Sequence, residues 1–251
     1  MAEHKCKIKI RDVSKTFYSG SNEVSVLKNM SLDVYENEFL VLLGPGQCGK
    51  TIFLNILADL EEKDSGTIEF VGNDYKPGDI GFVFQRYALF PWKTVVGNVV
   101  MNQRFRGTPK KEQLEIAQKN IELVGLKGFE KAYPAQLSGG MKQRVGIARA
   151  YSSNTDIIFM DEPFGALDAQ TRYQMQDEIL KIWEKNKVTI VFVTNNIEEA
   201  VYLGDRIVLM SNKPSSVVKE FVPELPRPRV NTDEAYLALR NEIADAMDLA
   251  L

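Results

Sequence analysis

Apolar and polar positions alternate along residues 7–11, and β-forming residues recur at 24–27 and 30–34 with turn-prone residues between them. That pattern predicts an antiparallel sheet at the amino terminus. The texture then changes. Residues 38–43 form a nearly continuous apolar run, and 157–160 and 189–193 repeat it, as strands buried on both faces of a parallel sheet do. Helix-like stretches separate these runs, giving the β/α alternation of a doubly wound domain. Across 86–150 the runs stop, and polar segments of helical character such as 110–124 take over, broken at Gly107-Thr108-Pro109, Gly125 and Pro134. The expectation is one α/β domain over 1–251 with a helical subdomain inserted at 86–150 and a carboxy-terminal extension at 211–251. In that extension, Leu225-Pro226-Arg227-Pro228-Arg229 is held extended by its prolines. Beyond it Tyr236, Arg240, Ile243 and Met247 mark a one-sided terminal helix.

Composition narrows the function classes. The 251 residues are 44% hydrophobic and 26% charged, enough to bury a sizeable core. The longest apolar runs fall far short of the roughly 20 residues that span a bilayer, so a role at a membrane requires another protein's span. Residues 1–5 lack the apolar stretch of a secretory signal, which gives the expectation of a cytoplasmic protein. Cys6 and Cys48 match no metal-ligand spacing and are expected as free thiols. The net charge of −3 is dispersed in both signs and offers no broad basic footprint, which argues against a general nucleic-acid binder.

Gly44-Pro45-Gly46-Gln47-Cys48-Gly49-Lys50-Thr51 follows an apolar strand and precedes a helix carrying Ile52, Phe53, Ile56, Leu57 and Leu60. Such a loop turns successive backbone N–H groups inward around phosphate oxygens, with the helix terminus adding a positive dipole end. Lys50 would reach the β and γ phosphates, and the Thr51 hydroxyl would face magnesium. The plain alternative is a glycine-rich turn closing a strand. Farther on, residues 157–162 form an apolar strand ending in Asp161-Glu162, at the strand end where α/β sheets place ligand chemistry. Asp161 is the candidate for the magnesium shell and Glu162 for polarising the attacking water. A solvated strand terminus would tolerate the same pair.

Leu137-Ser138-Gly139-Gly140-Met141-Lys142-Gln143-Arg144 resembles the signature motif of ABC ATPases. A Ser-Gly-Gly turn opening a helix is an anion site, because free N–H groups and a hydroxyl converge there. The resemblance extends over most of the chain. Phe17 matches the aromatic that stacks on adenine, Gln85 the glutamine loop that touches magnesium and senses the membrane partner, and Asp168 the loop that crosses the dimer axis. Phe17 as core, Gln85 as a polar loop residue and Asp168 as a helix N-cap are the local alternatives. The resemblance implies an α/β fold with a P-loop NTPase core of ABC type, an amino-terminal antiparallel β subdomain and an inserted helical subdomain. It further implies ATP and Mg2+ as cofactors and a homodimer in the ATP-bound state, with Gly44 through Ile52 and Ser138, Gly139, Gly140 and Asp168 around the nucleotide. Separate transmembrane permease subunits, and indirectly an extracytoplasmic solute-binding protein, are the implied partners, at the inner face of the cell membrane.

Three places depart from that family. Where it reads Thr-His-Asp, this chain reads Thr194-Asn195-Asn196, and its only histidine is His4, expected to be solvent-exposed. Asn195 can donate an amide hydrogen bond to phosphate but carries no charge, so slowed hydrolysis is expected. Met141 replaces the usual glutamine, and Gly46-Gln47 stands for the common Ser-Gly. The segment from Tyr87 to Lys93, with Phe90-Pro91-Trp92, and the Pro-Arg tail resemble importers for nitrate, sulfonates and taurine. Two other readings stay open: a nucleotide-gated dimerising subunit with little hydrolysis, and a non-transport ABC ATPase.

Overall fold

In a computed structural model the described residues are 5–20, 22–72, 75 and 79–250. His4 lies outside them. The chain divides into two compact units, one from Met1–Tyr75 with Thr189–Leu251 and the other Lys76–Val188.

The first unit opens on β1 (Cys6–Ser19) and β2 (Asn22–Tyr35), which pair antiparallel, with Ile8 opposite Val34 and Ile10 opposite Leu32. The sequence predicts two short segments at 24–27 and 30–34. They form one strand, because register shifts within the pairing and the left-handed Asp12 and Asn29 absorb the turn-prone residues as bulges. Strand β4 (Ser65–Phe70) completes this three-stranded sheet on the other side of β1.

The same unit holds β3 (Phe39–Leu43) between β7 (Thr189–Thr194) and β8 (Arg206–Met210), all parallel and all buried. Burial on both faces accounts for their uninterrupted apolar sequences. Strand β9 (Val217–Phe221) runs antiparallel along β8. Helix α1 (Lys50–Leu57) follows β3, α7 (Ile197–Leu203) follows β7, and α8 (Glu234–Asp248) ends the unit. The apolar side expected of α8 is present, with Tyr236 and Ile243 buried. By contrast α1 stops at Leu57, and Leu60, expected on its apolar face, is exposed.

In the second unit β5 (Gly81–Val83) pairs parallel with β6 (Ile157–Asp161). Between them come α2 (Val95–Val99), α3 (Met101–Phe105), α4 (Lys110–Leu123), a 3-10 turn at Pro134–Gln136 and α5 (Gly139–Tyr151). Residues 86–150 thus contain helices and no strand. Helix α6 (Ala169–Asn186) follows β6 and buries Met175, Ile179, Leu180 and Trp183. Among the described residues no helix is long and apolar enough to cross a membrane.

Candidate nucleotide site

The phosphate loop leaves the carboxyl end of β3 and closes at Gly49, whose φ of 121° caps α1. A side chain is excluded there: a Cβ would lie 2.8 Å from Val26. Lys50 is buried, and its ammonium donates to Gly44 O at 2.9 Å and Pro45 O at 2.7 Å, with Cys48 Sγ at 3.8 Å. The cation therefore holds the loop in a ring about itself. Gln47, at the exposed crown, adopts φ 63°, a conformation glycine enters at no steric cost and other residues resist. Thr51 is exposed and Ile52 half-buried on the first turn of α1.

Asn195 is exposed at the end of β7. Leu43 and Thr194 are paired in the parallel register, so the phosphate loop and Asn195 leave neighbouring strands at the same level. Phe17, on β1, is partly exposed, with Lys15 Nζ 5.0 Å from its ring centroid in a cation–π contact. Cys6 and Cys48 are both free thiols.

The second unit carries the carboxylates. Asp161 ends β6 and is buried. Glu162 follows with φ 38°, a strained backbone of the kind found where function holds a side chain in place. Gln85 Nε2 donates to Glu162 Oε2 at 3.1 Å. Ser138 caps α5 by accepting from Met141 N at 3.3 Å. The two signature glycines sit close against neighbouring side chains: a Cβ on Gly139 would meet Tyr87 Oη at 2.9 Å, and one on Gly140 would meet Thr171 Cγ2 at 2.9 Å, so either substitution would make its neighbour move. Asp168 is the N-cap of α6, accepting from Thr171 N at 3.0 Å and Thr171 Oγ1 at 2.7 Å. These bonds hold its carboxyl below the usual aspartate range. Thr171 thereby joins Asp168 to the signature turn.

Two side chains with evident roles here, Arg149 and Asn98, lie outside every motif, and a third buried polar residue, Gln143, lies within the signature stretch. Arg149, buried on α5, donates to Ala88 O at 2.6 Å and Tyr87 O at 3.4 Å, fixing the glutamine loop to the signature helix. A lone charge within the buried stretch 145–150 was its signal. Asn98, also buried, accepts from Phe90 N at 2.8 Å and donates to the carbonyls of Phe90, Lys93 and Thr94. It shapes the turn on which Trp92 stands 71% exposed. Gln143 is fully buried one turn beyond Gly139, and neither of its amide atoms has a hydrogen-bond partner.

Among the described residues no cluster of three or more His, Cys, Asp and Glu side chains could hold a metal. Taken one by one, the candidate ligands Thr51, Gln85 and Asp161 each offer an oxygen donor, the kind that magnesium takes while keeping waters and drawing its remaining ligands from substrate phosphates.

Comparison with known proteins agrees with this geometry. A family model described as ABC transporter matches residues 27–165. An uncharacterized ABC transporter ATP-binding protein of Methanocaldococcus jannaschii is 48% identical over 245 residues, covering 97% of this chain and 92% of the relative. An aliphatic sulfonates import ATP-binding protein of Bacillus cereus is 40% identical over 238 residues, 94% of each chain. A bicarbonate transport ATP-binding protein of Synechococcus elongatus is 42% identical over 246 residues, covering 94% of this chain and 37% of the relative. A dimeric structure of a bacterial ABC transporter cassette superposes with a TM-score of 0.75 at 33% identity, covering 86% of this chain and 98% of that one. The same cassette in a post-hydrolysis state bound to ADP and Pi matches equally. A phosphate loop ringed around Lys50, a strand ending in Asp161-Glu162 and a capped Ser-Gly-Gly turn are the parts of one enzyme class, and the chain belongs to the ABC transporter family as an ATP-binding, ATP-hydrolysing subunit.

Proposed function

We propose that this subunit hydrolyses ATP to drive uptake of a small solute, of the nitrate, sulfonate or taurine kind, through separate permease subunits at the inner face of the membrane. The observation that carries the reading is the Gln85–Glu162 hydrogen bond. It ties the carboxylate suited to polarise water to a loop that continues, five residues later, into the Phe90-Pro91-Trp92 turn, exposed at Pro91 and Trp92. A membrane partner seated on that turn would shift Gln85 and so reset Glu162.

In the chemical step Lys50 exchanges its contacts with the loop carbonyls for β and γ phosphate oxygens, and the inward N–H groups of residues 46–51 hold the rest of the triphosphate. Phe17 stacks on the base. Thr51, Asp161 and Gln85 would hold magnesium, and the ion would supply charge neutralisation for the phosphates. Glu162 accepts a hydrogen bond from the water aligned for in-line attack, and the Asn195 amide donates to a γ-phosphate oxygen. Ser138, Gly139 and Gly140 offer their donors to the nucleotide of a second copy, which makes ATP the closing ligand of a homodimer, and Asp168 lies along the contact between the copies. Asn195 supplies no positive charge, so turnover is slower than an imidazole would permit. The similarity to sulfonate and bicarbonate transport proteins supports the importer assignment.

Steady-state ATPase measurement with magnesium, comparing the protein with Glu162→Gln while light scattering follows dimerisation, tests this reading. Turnover that vanishes in Glu162→Gln, together with an ATP-stabilised dimer, is expected. Turnover that survives Glu162→Gln would remove Glu162 from the mechanism, and a protein that dimerises on ATP without turning it over would favour the nucleotide-gated reading.

A further inference from the structure

We propose that the carboxy-terminal extension is a brace that positions Asn195, acting through α7, with Arg229 as its principal positioning residue. The proposal rests on the reading of Asn195 as a γ-phosphate contact.

Helix α7 has only seven residues, too few to hold its shape unaided in water, and its amino-terminal end is built on the residues that flank Asn195. Thr194 Oγ1 donates to Glu199 Oε2 at 2.6 Å and accepts from Asn196 N at 3.0 Å. Asn196 caps the helix by accepting from Glu199 N at 3.2 Å. Residue 195 is thus suspended between two residues fixed to the first turn of α7, and any displacement or fraying of α7 moves it.

The extension supplies what the short helix lacks. The Arg229 guanidinium is buried and donates through Nη1 to Val201 O at 2.6 Å, Gly204 O at 2.7 Å and, more weakly, Tyr202 O at 3.4 Å. These are the carbonyls that a helix end leaves open, and a cation there also complements the helix dipole. Burial, with Arg227 adding to it, pushes Arg229 down to about 10, so it remains charged at neutral pH. Arg227 donates to Leu203 O and pairs with Asp205, whose other oxygen accepts from Phe39 N at 3.0 Å at the start of β3. On the helix flank, Tyr236 Oη lies 3.1 Å from both Glu198 O and Glu198 Oε2, and Arg240 pairs with the same carboxylate. Four side chains of the extension therefore converge on one short helix and its carboxyl end, while none of them belongs to the nucleotide loop.

A brace that acts through Asn195 has a kinetic signature distinct from general stabilisation. In Arg229→Ala, kcat is expected to fall about 5- to 20-fold while the KM for ATP changes by less than about 2-fold, because the phosphate loop is left intact. Arg229→Lys should recover part of the loss. Placed in an Asn195→Ala background, Arg229→Ala should lower kcat no further, the non-additivity expected of residues acting as a unit. Should Arg229→Ala prove insoluble, Tyr236→Phe removes only the hydroxyl on Glu198 and is expected to lower kcat about 2-fold, again only when Asn195 is present. Equal losses with and without Asn195, or a rise in KM matching the fall in kcat, would overturn the brace and leave the Asn195 reading standing. An Asn195→Ala protein with unchanged kcat would overturn both.

Discussion

Replacing Arg206 by methionine should make stability depend on pH in a direction set by Glu38. Glu38 immediately precedes β3, and Arg206 opens β8. Arg206 Nε donates to Glu38 Oε2 at 3.1 Å and Nη2 to Oε1 at 2.9 Å, while Nη1 reaches Glu220 at 2.7 Å. The two main partners are about nine-tenths buried, with side-chain exposures of 10% and 9%. Burial pushes the Glu38 carboxyl above its usual range, and Arg206 with the Tyr35 N–H pulls it back. Methionine fills much of the volume but leaves Glu38 with the Tyr35 N–H alone, at 2.6 Å. A buried charge stripped of its partner costs about 3–5 kcal/mol. The carboxylate escapes by taking up a proton, which costs about 1.4 kcal/mol per pH unit above its ordinary value near 4.3, hence roughly 1 kcal/mol at pH 5 and roughly 3.7 kcal/mol at pH 7. The folded variant holds a proton that the unfolded chain releases, so its stability falls as pH rises through this interval. Urea unfolding followed by tryptophan fluorescence, run on both proteins at pH 5, 6 and 7, should show the deficit growing by about 2–3 kcal/mol between the extremes. Adding Glu38→Gln should flatten that dependence. A deficit equal at pH 5 and pH 7 would refute the argument, since the loss would then lie in packing or in the contact with Glu220.

Lys50→Met removes the cation around which the phosphate loop is wrapped, and ATP affinity should weaken by at least about 100-fold in a fluorescent-nucleotide titration; undiminished binding would place the nucleotide elsewhere. Asn195→His should raise ATP turnover by about 10- to 100-fold, and an unchanged rate in a coupled phosphate-release assay would remove charge at this position from the mechanism. Asn98→Ala strands Phe90 N and three carbonyls inside the second unit and should destabilise it by about 2–4 kcal/mol, read by urea denaturation; a loss under about 0.5 kcal/mol would mean the turn bearing Trp92 holds itself together.

The three apolar runs at 38–43, 157–160 and 189–193 announce β3, β6 and β7 because a strand covered on both faces needs no polar alternation. The phosphate loop and the Ser-Gly-Gly turn were legible for a related reason: each is a local backbone shape demanding particular residues in a row. Features made by distant partners left less trace. Asn29 reads as part of a turn because its left-handed backbone is turn-like, yet it sits inside a paired strand as a bulge, as Asp12 does on the facing strand. Strands β4, β5, β8 and β9 went unmarked, β5 having only three residues, although the apolar residues 207–210 of β8 carried a signal. Arg149 and Arg229 take their meaning from carbonyls about 60 and 25–28 residues away in the chain, which no window along the sequence contains. For Gln47 the sequence shows a substitution at the loop crown, and only the backbone shows that it keeps a glycine-like φ.

The position of β3 has a consequence for how the protein is made. Its two neighbours, β7 and β8, begin at residues 189 and 206, so the strand carrying the phosphate loop is synthesised long before either flank exists. At ordinary translation speeds the interval is on the order of ten seconds. During it an apolar strand, already outside the ribosome, has neither of the parallel neighbours that cover it in the finished domain. The intervening residues 76–188 can condense meanwhile, since β5, β6 and the helices between them are all in hand. Every residue of the signature turn and both carboxylates is therefore synthesised before the strands that seat the phosphate cradle. A chain cut short anywhere from residue 52 to residue 188 carries the cradle's full sequence and lacks the strands that would hold it.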